Sequence, residues 1–272
     1  MGRTDCSQRS LRSLPLVLCL AATPLICSAG ALPAGVERTD ANSRAAHQAL
    51  LRKRHSGRID VYFLGDSITR RWGTSDPQYR DLYASWRRNF YGWNAADFGW
   101  GSDTTWNILW RIRNGELEGV NPRIIVLLAG TNDLRDLPHP GQTADEAAQS
   151  VTAGVGAIVR ACQAQAPRAT LVLTGLAPRG DRPELRPIIE RINAGVAALA
   201  DGRAIRFVDL YARLTDSSGA PLPGMLASDG LHFSVSAYQA WADALRPILR
   251  EILGARRATD AAPPPSNDPG LR

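Results

Sequence analysis

The chain of 272 residues has room for one large or two small domains at about 150 residues each. Apolar residues make up 44% and charged residues 21%, a soluble globular balance that excludes a disordered, collagen-like or multi-span membrane protein. The formal net charge is +6, and every basic residue except Lys53 is arginine.

Residues 1–31 have the build of a secretory signal. Arg3, Arg9 and Arg12 make a basic start, residues 14–27 are mostly apolar, and Ser28-Ala29-Gly30-Ala31 supplies small residues for cleavage after Ala31, with cleavage after Ala29 the second choice. Pro15 and Pro24 interrupt the apolar run, which is shorter than the roughly 20 residues of a spanning helix. No membrane span is therefore expected after cleavage, and the mature protein is expected in the periplasm or outside the cell. Bulky Leu18 and Ile26 precede Cys19 and Cys27, which argues against lipid attachment. Loss of this segment also removes Cys6 and leaves Cys162 alone, so stability must come from packing and not from an internal disulfide. The mature balance becomes 29 basic against 25 acidic residues. The densest basic cluster, Arg52-Lys53-Arg54-His55, is short and lacks aromatics; it reads as a solvated helix face, and no nucleic-acid partner is expected.

Residues 39–56 read as a helix leading into a buried strand over 59–64. A weaker strand follows at 94–98, and residues 104–114 carry helical spacing through Ile108, Leu109 and Ile112. The clearest strand is 123–129, with a continuous apolar run bounded by Pro122 and Gly130. An Ala-rich helix over 144–164, a strand over 170–174, a helix over 184–199, a strand over 204–208 and a last helix over 236–253 complete the alternation. Strands separated by helices, and apolar throughout, predict an α/β domain over 39–254 with a parallel sheet covered on both faces. The tail 255–272 carries Pro263-Pro264-Pro265 among polar residues and reads as a disordered extension.

In such sheets ligands bind at the carboxyl ends of the strands. Three strand ends stand out: Gly65-Asp66-Ser67, Gly99-Trp100-Gly101-Ser102-Asp103 and Gly130-Thr131-Asn132-Asp133. Ser67 is either part of a helix cap or a nucleophile at a helix N-terminus, and a nucleophilic role needs a base. Of the four histidines, His47, His55 and His139 read as surface residues. His232 differs because Asp229 lies three residues before it, close enough to hold the ring and leave Nε2 for a serine. Asn132 can donate its amide to an oxyanion, and Gly101-Ser102 offers backbone N–H groups. Asp103-Thr104-Thr105 reads as helix capping. The residue pattern offers no further close His or Cys for zinc, no G-x-S-x-G elbow (position 69 is Thr), no G-x-G-x-x-G and no G-K-[ST].

These four blocks, in this order across nearly the whole domain, resemble the SGNH or GDSL-type hydrolase family. The stretch 104–119, with Leu109-Trp110-Arg111 and Asn114-Gly115-Glu116-Leu117, is further similar to the branch of platelet-activating-factor acetylhydrolase catalytic subunits. The resemblance implies a three-layer α/β/α sandwich with a mainly parallel five-stranded sheet of flavodoxin-like topology. It implies Ser67 as nucleophile, His232 as base then acid, and Asp229 as its orienting partner. The oxyanion hole would comprise the Ser67 N–H, the Asn132 side chain and the N–H of the residue before Asp103. That residue is usually Gly in the family; here it is Ser102, with Gly101 the alternative donor. The implied activity is hydrolysis of small-molecule, lipid or carbohydrate esters with short acyl groups, without metal or organic cofactor. A lysophospholipase or thioesterase taking longer chains is the alternative, and a non-catalytic carbohydrate- or lipid-binding module on the same fold is a further one.

Overall fold

The computed structural model of the chain describes residues 1–2 and 34–267. The signal expected over 1–31 falls, from residue 3 onward, outside the described residues, as do 268–272 at the end of the tail.

Helix α1 (Ala41–Lys53) leads to strand β1 (Val61–Gly65), helix α2 (Ser67–Gly73) and helix α3 (Arg80–Phe90). Strand β2 (Ala95–Gly99), helix α4 (Thr105–Arg111), strand β3 (Ile124–Leu128) and helix α5 (Ala144–Gln165) follow. Strand β4 (Thr170–Thr174), helix α6 (Arg186–Ala197), strand β5 (Ile205–Val208), the short α7 (Tyr211–Leu214) and α8 (Val235–Leu253) close the domain. The five strands pair in the order β2-β1-β3-β4-β5, every pairing parallel. This is the three-layer α/β/α sandwich that the alternation implied. All five residues of β1, β2 and β3 are buried, as strands covered on both faces must be.

Chain direction sets the layers. The step from β1 to β2 runs one way along the sheet, and the steps through β3, β4 and β5 run the other. Right-handed crossovers therefore put α2 and α3 on one face and α4, α5 and α6 on the other. The packing agrees: α2 lies on α3 and α3 on α8, while α4 lies on α5 and α5 on α6. The reversal falls between β1 and β3, so the loops after these adjacent strands border the crevice where such sheets bind ligands.

An aromatic block fixes α2 behind the sheet. Trp72 stacks on Trp241 and Tyr238 at centroid separations of 5.1 and 4.7 Å, and Phe63 meets Trp86 edge-on at 4.7 Å. The Tyr238 hydroxyl donates to the Ile68 carbonyl at 2.6 Å, tying α8 to the first turn of α2. Close approach explains Gly99: a Cβ there would lie 2.4 Å from the Arg70 nitrogen.

Three expectations need correction. Lys53 is buried, not part of a solvated face; its ammonium donates to the Asp97 carbonyl at 2.7 Å and to Ser266 Oγ at 3.0 Å, and burial pushes its pKa down to about 8. Residues 255–267 are docked, not disordered. The Arg58 N–H donates to the Ala261 carbonyl at 2.8 Å, the Arg257 N–H to Gly92 at 2.9 Å, and Ser266 bridges Thr74 in parallel. Composition suggested disorder because the tail has little apolar surface, but backbone hydrogen bonds to fixed partners hold it instead. His47, read as a surface residue, is buried on the packed face of α1 beside Glu116.

Candidate active site

Asp66 follows β1 and caps α2: its carboxylate accepts from the Ile68 N–H at 2.8 Å. Asp66 is therefore the cap and Ser67 the first residue of the helix. Ser67 Oγ lies 2.9 Å from His232 Nε2, and His232 Nδ1 lies 2.7 Å from Asp229 Oδ2. A carboxylate can only accept here, so Nδ1 carries the ring proton and Nε2 is free to accept from the serine hydroxyl.

Asp229 is held locally. Its Oδ1 accepts from the backbone N–H groups of Leu231 and His232 at 3.0 and 2.9 Å. Partial burial raises its pKa, but these N–H groups and the imidazole together outweigh that and hold the carboxyl well below the usual range. Arg71 also approaches the same carboxylate at 3.5 Å. Burial lowers the pKa of His232 from the ordinary 6.5, the Asp229 hydrogen bond opposes this, and the charges of Arg71 and Arg179 lower it further. The imidazole is thus neutral and basic near neutral pH.

The other two strand ends border the same cavity as the imidazole. Gly101 and Ser102 line the same cavity as Ser67, Asn132 and His232, and a Cβ built on Gly101 would sit 4.0 Å from Ser67 Cβ. Ser102 has a φ of 65°, in the left-handed region that glycine adopts freely and that costs another residue about 1–2 kcal/mol. That conformation explains physically why glycine is usual at this position in the resembled family. Asn132 Nδ2 donates to the Asp103 carbonyl at 3.0 Å, which fixes the amide and leaves its second N–H available.

The loops carrying these donors are tied to one another. Asp133 accepts from the Thr105 N–H at 2.9 Å and from its hydroxyl at 2.6 Å, joining the β3 loop to the start of α4. Thr104 caps α4 through a reciprocal bond with Asn107, as the capping reading expected. Beneath them Arg111 is almost fully buried. It donates to Asp103 Oδ2 at 2.7 Å, to the carbonyls of Phe98 and Gly65 at 3.0 and 3.2 Å, and to Glu116, whose other oxygen meets His47 Nδ1 at 2.9 Å. Arg111 thus clamps the ends of β1 and β2. Sequence reasoning took Arg111 and Glu116 only as marks of resemblance and missed His47. The signal existed: Ser43, Ala46, His47 and Leu50 recur at helical spacing along one stripe of α1, and all four are buried.

Residues 63–240 match the model of the GDSL-like Lipase/Acylhydrolase family. The chain belongs to this family. It is accordingly a carboxylic ester hydrolase by membership. The alpha1 subunit of platelet-activating factor acetylhydrolase IB from Bos taurus is 34% identical over 212 residues, spanning 77% of this chain and 83% of the bovine protein. A GDSL-like lipase from Bacteroides thetaiotaomicron shares the fold at a TM-score of 0.53, with 22% identity over 71% of this chain and 88% of its own. A catalytic mutant of an acetylxylan esterase from Geobacillus stearothermophilus does so at 0.51, with 19% identity over 73% and 96%. Among the described residues no group of side chains is arranged to hold a metal ion, and no helix is long and apolar enough to cross a membrane.

Proposed function

We propose that this GDSL-family hydrolase removes short acyl groups, acetyl foremost, from alcohols through Ser67, His232 and Asp229. The contact that carries the assignment is the 2.9 Å approach of Ser67 Oγ to His232 Nε2, with Asp229 behind the ring. His232 takes the hydroxyl proton as Oγ attacks the ester carbonyl. The tetrahedral oxyanion rests on the N–H groups of Ser67 and Ser102 and on the free N–H of Asn132, with the Gly101 N–H the alternative to that of Ser102. His232 then gives its proton to the leaving alcohol. Water, deprotonated by the same imidazole, attacks the acyl-enzyme and frees the acid and Ser67.

Acetyl is favoured because the bovine relative is an acetylhydrolase and the Geobacillus fold relative an acetylxylan esterase. A series of 4-nitrophenyl esters from acetate to octanoate tests acyl length. The expected order of kcat/KM is acetate first, falling with chain length; octanoate turned over faster than acetate would shift the assignment to a lysophospholipase or thioesterase. We also propose export, on the basic-apolar-small succession in residues 1–31. Intact mass of the exported protein is expected to begin after Ala29 or Ala31, and a soluble species retaining Met1 would contradict it.

A further inference from the structure

The cavity above Ser67 and His232 has a volume of about 490 Å³, and five of its thirteen lining residues are arginine while none is Asp or Glu. These arginines differ in what they already bind. Arg70 pairs with the buried Asp76, and Arg71 lies over the Tyr79 ring and reaches Asp229. Arg179 donates to both oxygens of Asp181 and to the Thr131 carbonyl. Arg182 spends Nε on Glu184 and one terminal nitrogen on the carbonyls of Leu134 and Arg135, which leaves its second terminal nitrogen without a hydrogen bond among the described residues. The Arg135 guanidinium is exposed and makes no hydrogen bond or ion pair among the described residues.

A guanidinium carries five N–H groups in a planar fork. The donors left over therefore lie on Arg135 and Arg182, on the loops after β3 and β4, and on Arg71, which meets Asp229 at 3.5 Å through one terminal nitrogen. The carboxylates that pair with this rim, Asp181 and Glu184, are not among the residues facing the cavity. Such a wall of one sign selects for a charged ligand, because the field inside a cleft is focused there. His232 shares the cavity with these arginines and must face the leaving oxygen, because it gives that oxygen its proton. Arg179 and Arg182 hold the loop that carries Arg135 through the carbonyls of Thr131, Leu134 and Arg135. An acetyl group carries no charge of its own, so an anionic group held by these arginines belongs to the alcohol.

We infer that the alcohol released by this enzyme carries an anionic oxyacid group, a carboxylate or a phosphate, which Arg135 and Arg182 grip while Ser67 attacks the ester. The inference rests on the hydrolase assignment above and narrows its substrate class. Forked, charge-assisted hydrogen bonds to either anion suit arginine geometry and would act mainly in binding.

The experiment measures kcat/KM on matched acetyl esters. The carboxylate arm compares 3-acetoxybenzoate with its neutral isostere 3-acetoxybenzamide; the phosphate arm compares acetylated glycerol 3-phosphate with monoacetylglycerol. At low salt the wild-type enzyme is expected to favour the anionic member of at least one pair by about tenfold to a hundredfold, the size of one charge-assisted contact. The arm with the larger preference identifies the acid. Arg135→Gln is expected to lower that preference by about tenfold, chiefly through KM, and Arg135→Lys to retain part of it because the charge remains. Raising the salt concentration should erode the preference in the wild-type enzyme. Equal turnover of charged and neutral esters in both arms would overturn the inference and leave the hydrolase assignment standing. So would a preference that survives Arg135→Gln undiminished. No turnover of any of the four esters, with Ser67 unreactive toward a fluorophosphonate, would overturn both.

Discussion

Ser67, Ser102 and Asn132 stand on the ends of three adjacent strands, whereas Asp229 and His232 share one loop that belongs to no strand or helix. The strand-end half rests on buried charge: Arg111 touches the last carbonyl of β1, a carbonyl of β2 and the Asp103 carboxylate at once. The loop half is held mainly by its own backbone, with the Gly180 N–H donating to the Gly230 carbonyl at 2.8 Å and Arg71 meeting Asp229 as ties from outside it. The Ala227 N–H donates to the His232 carbonyl at 2.7 Å, the Gly230 N–H returns to Ala227 at 2.9 Å, and Asp229 takes its bonds from its own neighbours. Support and chemistry are thus mixed in one half and separable in the other. A change beneath the strand ends should register in stability, and a change in the loop should register in rate.

The sharpest way to break this contrast is to remove one residue from each half. His232→Ala is expected to lower kcat by about 10⁴–10⁶-fold, as loss of a general base does in serine hydrolases, while shifting the melting temperature by less than about 4 °C. Arg111→Met removes the buried cation that joins Asp103 and Glu116, leaving Asp103 only the longer 3.5 Å contact with Arg38 and Glu116 that with His47. Removing one partner of a buried pair costs about 3–5 kcal/mol, so a fall of roughly 10 °C or more in melting temperature is expected. Calorimetry and initial rates on the two purified variants check both. If His232→Ala melted far below Arg111→Met, the division between the halves would be wrong.

Asn132→Ala probes a residue that belongs to both categories. It removes a preorganised donor, and the expected loss is about 10²–10³ in kcat with little change in KM. Steady-state kinetics distinguish this from a substrate-binding role, for which the defect would lie in KM.

How much of this was legible in the chain follows the same division. The strand ends were readable because a buried parallel strand is a continuous apolar run, and its end is marked by Gly followed by a polar residue. The pair Asp229 and His232 was readable because three residues of loop suffice to join them. The clamp was not, because Arg111, Glu116, Asp103 and His47 come from separate segments and meet only once the sheet has formed. The arginine rim escaped for a similar reason. Arg71, Arg135, Arg179 and Arg182 are spread over three loops or helices, and no local pattern says that they face one cavity. Helix α3 was also missed, since its short amphipathic pattern lies between two irregular stretches.

The pH profile sharpens the description of the loop half. In the proposed mechanism His232 acts only when neutral, so kcat/KM should rise with pH through the imidazole pKa and level off above it. Burial holds that pKa below 6.5, and the acid limb is therefore expected to have its midpoint below pH 6.5. A midpoint above pH 7 would mean that Asp229 outweighs burial at the imidazole.

The smallest effect is expected at Ser102. Ser102→Gly keeps the backbone donor and relieves the left-handed strain, so kcat should change by less than roughly tenfold while stability rises by at most about 1 kcal/mol. A hundredfold loss with an unchanged fold would show that the hydroxyl takes part in the chemistry.

The central claim is that Ser67 is the nucleophile, activated by His232. Incubation with a fluorophosphonate followed by peptide mass spectrometry tests it most directly. The expected result is one adduct per chain, on Ser67, with loss of esterase activity in step with labelling, and no adduct on Ser67→Ala. Stoichiometric labelling elsewhere, or a Ser67→Ala enzyme that keeps a tenth of the wild-type kcat, would contradict it.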